Sequence, residues 1–294
     1  MKGCHLYMKG VNGWGFFYRL EDAIVYYTLY SVYARELDLC VVSFSIMFNH
    51  THCMVLDEPM SKITLFQRKL GVSTAHKYNR EYGRKGQLWH HSYGYAFKVS
   101  PKKILGTIAY VANNPVAGKL NSRAFENRWT LLAYYNCDHP FSREIDKRKC
   151  SRSMLRAISL VNLKFKAGEY LDYHSIRRIF AKLSSKEKAQ ITDYIVSKYN
   201  FLDYEALIGL FGSFEKAVLA IDSMAGSEYD IEDDKGNHSC YRKMLLFLKN
   251  AFPGKTRINV EKLTQEQILR FKSMVSGLSA NSDEQIRKFL HLKQ

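Results

Sequence analysis

The sequence predicts an α+β chain in which strands and helices mix over the first part and helices alone follow. Three observations carry this. Stretches dense in Val, Ile, Phe and Cys, such as Leu39–Phe48, have the composition of buried strands. They alternate with longer stretches whose apolar residues recur at helical spacing, such as Ile24, Tyr27, Leu29 and Val32 within Glu21–Glu36. Beyond the polar stretch 138–152, which holds Pro140, nearly everything reads helical.

The elements follow in order. His5–Lys9 is a short strand that ends at Gly10. Glu21–Glu36 is a helix, Leu39–Phe48 a buried strand, and His50–Leu56 continues extended. Ser61–Tyr82 is a helix with Lys and Arg on its exposed face, closed by a turn at Gly83-Arg84-Lys85-Gly86. Pro101–Asn113 is a helix with proline in its first turn, where a missing N–H costs little, and Asn114-Pro115 is expected to stop it. In the second part Thr264-Gln265-Glu266-Gln267 and Ser282-Asp283-Glu284-Gln285 are capping boxes. Their two helices, joined by Gly277–Asn281, resemble the first pair of a helix-turn-helix. The acidic run Tyr229–Asp234 reads as a solvated loop. The expected division is 1–140, a linker over 141–152, and a helical domain over 153–294.

Composition narrows the function. The 294 residues, 46% hydrophobic and 24% charged, can bury a core, which excludes a disordered or fibrous chain. No run reaches about 18 apolar residues, so no membrane span is expected. The first residues lack the apolar run of a secretion signal. Six scattered cysteines without a CxxC pair fit reduced thiols, and a cytoplasmic, nucleoid-associated location is expected. Lys and Arg number 44 against 28 Asp and Glu, a net +16. Such an excess attracts polyanions. With 14% aromatic residues, on which bases stack, it fits single-stranded nucleic acid better than a lipid surface.

The chemistry concentrates in two segments. In Phe48-Asn49-His50-Thr51-His52-Cys53-Met54-Val55, two histidines stand at i and i+2, so strand alternation turns both imidazoles to one face. That geometry suits two ligands on one divalent ion. Two surface histidines on an edge strand would have the same pattern. In Ile108–Gly118, Tyr110 and Asn114 share a helix face, so a phenol and an amide oxygen can address the same point. Tyr110 alone would most often be a core aromatic.

Together these segments resemble the HUH single-tyrosine transposases, and among them the REP-associated tyrosine transposases. The resemblance rests on His50-Thr51-His52, on Asn79 followed by Gly86-Gln87-Leu88-Trp89, on Tyr110…Asn114-Pro115-Val116, and on Asn127-Arg128-Trp129-Thr130…Tyr134. It spans about residues 1–137. It implies a ferredoxin-like antiparallel sheet with flanking helices, followed here by an all-α C-terminal domain. It also implies a metal-dependent endonuclease and transposase that cleaves and rejoins single-stranded or hairpin DNA through a 5′-phosphotyrosine. Tyr110 would be the nucleophile, and His50, His52 and Asn114 would hold Mg²⁺ or Mn²⁺. Candidate DNA contacts are Lys9, Arg84, Lys85, Trp89, Lys98, Lys102 and Lys103. His90-His91 is a weaker second metal pair, and His5 is expected to be structural or DNA-facing. Family relatives act as monomers or as homodimers that exchange a helix.

Two departures concern DNA contacts. Ala117-Gly118-Lys119 follows where the family usually has Arg after Asn-Pro-Val, and Ser92 or Tyr93 stands where another Arg is usual. The two histidines, Tyr110 and Asn114 remain. The competing readings are a non-catalytic DNA-binding protein derived from a transposase, and a metal-dependent nuclease that uses water in place of Tyr110.

Overall fold

The apolar stretches pair into one sheet. Strands β1 (Gly3–Lys9), β2 (Val41–Ile46), β3 (His50–Leu56) and β4 (Gly94–Lys98) are antiparallel throughout and lie in the order β2–β3–β1–β4. Helix α1 (Leu20–Glu36) joins β1 to β2, and α2 (Met60–Tyr82) joins β3 to β4. This β-α-β-β-α-β succession, with β1 and β3 central, is the ferredoxin-like plan that the resemblance implied. The computed structural model describes residues 1–90, 93–225, 238–253, 258–275 and 283–292. The acidic run at 229–234, the Gly277–Asn281 connection, Ser282, His91 and Ser92 lie outside the described residues.

Alternation gives the sheet two unlike faces. Met8, Phe44 and Thr51 turn toward α1 and α2, where Thr51 shares a 2.9 Å hydrogen bond with the Tyr26 hydroxyl. His5, Tyr7, Lys9, His50 and His52 turn to the opposite face. There α3 (Pro101–Ala117) packs, and the Ser43 hydroxyl donates to the Ile108 carbonyl at 3.0 Å.

Helix α3 does not stop at Asn114-Pro115 as the sequence led us to expect. It runs through both residues to Ala117. A proline this near the end removes one intrahelical bond only. A Schellman close compensates: Leu120 N–H donates to the Pro115 carbonyl and Lys119 N–H to the Val116 carbonyl, with Lys119 at φ 56°. The extra turn keeps Tyr110 and Asn114 in one rigid helix.

The helices that follow are built onto this sheet. Helices α4 (Arg152–Lys166), α5 (Tyr173–Phe180), α6 (Ser185–Lys198), α7 (Tyr204–Phe211) and α8 (Phe214–Ser223) share one buried apolar cluster with it. Leu202 bridges Val41, and Asp203 N–H donates to the Val41 carbonyl at 2.8 Å, which covers the β2 edge. Helices α9 (Ser239–Ala251), α10 (Gln265–Val275) and α11 (Asp283–Phe289) form a second cluster around Tyr18 and Phe48. The capping box at Thr264 and Gln267 is present in both directions. Among the described residues, no helix is long and apolar enough to cross a membrane.

Asp193 on α6 fastens the two parts. It is fully buried and accepts from Arg128, from the Tyr134 hydroxyl at 2.7 Å and from Phe141 N–H at 3.1 Å. Asp193→Ala leaves the buried Tyr134 phenol and the part-exposed Arg128 guanidinium without their acceptor. It should lower unfolding stability by about 1–3 kcal/mol in a denaturant titration.

Candidate active site

Histidines 50 and 52 stand side by side on β3, with ring centroids 4.8 Å apart and exposures of 4% and 2%. Each is oriented through its Nδ1. The Asn49 amide donates through Nδ2 to the Gly13 carbonyl at 2.9 Å, so its Oδ1 faces His50 Nδ1 at 2.7 Å as an acceptor. His50 therefore carries its proton on Nδ1 and keeps a lone pair on Nε2. His52 Nδ1 lies 2.9 Å from His5 Nε2, and the two rings stack at 5.1 Å. The register explains the contact: Tyr7 pairs with His52 and Lys9 with His50, so His5 is the diagonal neighbour of His52.

Tyr110 reaches this pair within the same chain. Its ring meets His52 edge-on at 5.8 Å and His5 at 5.7 Å. The ring is half-buried, whereas the hydroxyl is fully buried and has no hydrogen-bond partner. An unpaired buried hydroxyl is an uncommon feature that calls for an explanation. Asn114 follows one turn later, and its Nδ2 donates to the Tyr110 carbonyl at 3.1 Å, leaving Oδ1 as the atom able to hold a cation. The next residue on that row is Gly118, where a Cβ would stand 3.4 Å from Cβ of His238. His238 in turn lies edge-on to His50 at 5.5 Å. The row Tyr110–Asn114–Gly118 thus runs from His52 toward the neighbourhood of His50.

The electrostatics favour neutral imidazoles. Burial pushes His5 down to about 3, with Lys98 adding to the effect. Burial also holds His52 well below the usual histidine range, helped by His50, His5 and Lys9. Only a neutral imidazole can ligate a cation. Among the described residues, no three His, Cys, Asp or Glu side chains are grouped to hold a metal ion. The donor set is two imidazoles and an amide oxygen, which leaves positions for phosphate oxygens. These residues fit a divalent ion.

The family comparison bears on this geometry directly. Residues 18–114, a span containing both histidines, Tyr110 and Asn114, match the family described as "Transposase IS200 like". This segment, about a third of the chain, is similar to the IS200-like transposases. A solved structure described as a REP-associated tyrosine transposase bound to a REP hairpin is similar over 44% of this chain and 75% of its own, at 14% identity and a TM-score of 0.37. No curated protein matches the chain.

Within the matched segment and its flanks, the expected DNA contacts separate. Trp89 is 5% exposed, packs edge-on against Phe16 and donates its indole N–H to the Gly71 carbonyl, so it is a core residue and not a base platform. Arg84 is equally committed: it bonds Glu261, Asn79 and the Gln87 carbonyl. Lys85, Lys102 and Lys103 are exposed. Lys9 and Lys98 flank the imidazoles, and among the described residues neither is in an ion pair. His90 is exposed. Two residues near the paired imidazoles were not singled out from the sequence: Tyr7, whose ring lies 6.2 Å from His52 above Gly94, and His238. Only strand alternation hinted at Tyr7, and nothing local hinted at His238.

Proposed function

We propose that this protein cleaves and rejoins single-stranded or hairpin DNA through a covalent bond to Tyr110. The observation that carries the proposal is the Tyr110 hydroxyl, buried without a hydrogen-bond partner beside the His5–His52 pair. A divalent ion, Mg²⁺ or Mn²⁺, held by His50, His52 and Asn114 would supply Lewis-acid polarisation of the scissile phosphate. The Tyr110 oxygen, giving up its proton, attacks phosphorus in line. The bond from phosphorus to the 3′-oxygen breaks, and that oxygen leaves as a 3′-hydroxyl. The 5′ end stays on Tyr110 as a phosphodiester. Attack by a 3′-hydroxyl reverses these steps, so joining needs no ATP. The contact of Tyr110 with His52 within one chain supports a site built from a single chain.

The test is a hairpin oligonucleotide incubated with the protein and Mg²⁺ or Mn²⁺. A denaturation-resistant adduct that chelator abolishes supports the proposal. Binding without adduct favours the non-catalytic reading, and cleavage without adduct favours a water-using nuclease.

Lys9 and Lys98 are proposed as the phosphate contacts nearest the chemistry, with Lys85, Lys102 and Lys103 further out. Each of Lys9→Ala and Lys98→Ala should weaken binding to all sequences alike. Each should reduce the salt slope of single-strand affinity by about 0.7. Arg84→Ala should instead lower the melting temperature and leave that slope unchanged.

A further inference from the structure

We infer that His5 is a positioning residue that sets which nitrogen of His52 carries the lone pair for a cation. The inference rests on the proposed function above and adds a residue to it. A single proton occupies the 2.9 Å link between His52 Nδ1 and His5 Nε2. If the proton sits on His52 Nδ1, that nitrogen donates to His5 and Nε2 of His52 carries a lone pair. If it sits on His5 Nε2, His5 donates, and Nε2 of His52 bears a hydrogen that faces away any cation. The two histidines of β3 are thus unequal. For His50 the Asn49 amide, itself oriented by Gly13, can only accept, so the tautomer is settled. For His52 the partner is another imidazole, able to do either.

The surroundings hold His5 to this task. It is 0% exposed, stacked on His52 at 5.1 Å, edged by Tyr110 at 5.7 Å and by Tyr7 at 5.5 Å. Its Nδ1 is buried without a hydrogen-bond partner. No second contact therefore biases its tautomer, and the His5 ring can accept at Nε2 when His52 is needed as a ligand. Orienting partners of this kind typically change metal affinity by about 10–100-fold.

The experiment uses the full chain without DNA. With Mg²⁺ bound, the ¹⁵N shifts of labelled histidine should place the His52 proton on Nδ1 and leave Nε2 bare. In calorimetry with Mn²⁺, His5→Phe, which fills the same space, should weaken binding by about 10–100-fold. His5→Gln, which restores an acceptor near the Nε2 position, should recover most of that loss. A His52 proton found on Nε2 in the Mg²⁺-loaded protein overturns the role of His5, as does wild-type Mn²⁺ affinity in His5→Phe. Either result leaves the covalent mechanism standing. A wild-type protein that binds neither ion overturns this inference and the metal-dependent reading together. The ¹⁵N measurement needs no variant, so it decides the matter even if His5→Phe fails to fold.

Discussion

Tyr110→Phe should abolish the proposed covalent protein–DNA adduct and leave DNA binding and folding intact. The expected loss is complete if Tyr110 is the nucleophile; the second phenol at the His5–His52 pair is Tyr7, over Gly94, and any residual adduct would map there. The folding half of the expectation is equally specific. The Tyr110 hydroxyl is buried and bonded to nothing, so its removal deletes no hydrogen bond. Stability should stay level or rise, by no more than about 1 kcal/mol, since a buried unsatisfied group is relieved. The ring edges against His5 and His52 are retained by phenylalanine. A core tyrosine behaves differently: Tyr134→Phe removes a bond to Asp193 and should destabilise. Measuring adduct yield, affinity and melting temperature on one preparation separates the two cases.

His50→Ala should have the next largest effect. His50 is proposed to contribute one of two imidazoles to the cation, and Lewis-acid stabilisation is worth several kcal/mol in such reactions. At about 1.4 kcal/mol per tenfold, cleavage should fall by about 10²–10⁴-fold. The variant also removes the hydrogen bond between His50 Nδ1 and Asn49 Oδ1, which costs about 0.5–1.5 kcal/mol of stability. Raising the Mn²⁺ concentration should recover part of the rate, because the lost ligand acts through metal occupancy. A rate that stays at the wild-type level would remove His50 from the metal site.

Much of the sheet-forming half was legible because its signals are local. Val41–Ile46 and His50–Leu56 are apolar enough to be buried strands, and alternation alone turned His50 and His52 to one face and Thr51 to the other. Tyr110 and Asn114 share a face for the same local reason. What was misread depended on distant partners. Arg84 resembled a surface cation, but Glu261, 177 positions away, pairs with it. Trp89 resembled a stacking platform, but it fills the gap between α2 and Phe16. Pro115 was expected to end α3, since a rule about helix interiors was applied to a last turn. Strand β4 carried no alternating apolar pattern, because Gly94 and Ala96 are small where Tyr7 and His5 need room. His5 was expected to be structural or DNA-facing, but its contact with His52 became visible only once strand register had been fixed, and His238 only once the packing of α9 had.

The central claim is that one phosphorus atom is reached both by a cation on the paired imidazoles and by the Tyr110 oxygen. The most direct measurement is to trap the adduct with a hairpin oligonucleotide and Mn²⁺, digest it, and locate the nucleotide by mass spectrometry. The account predicts a 5′-phosphotyrosine at Tyr110 with a free 3′-hydroxyl on the released strand. Attachment at any other residue, or cleaved DNA with no attached protein, contradicts it.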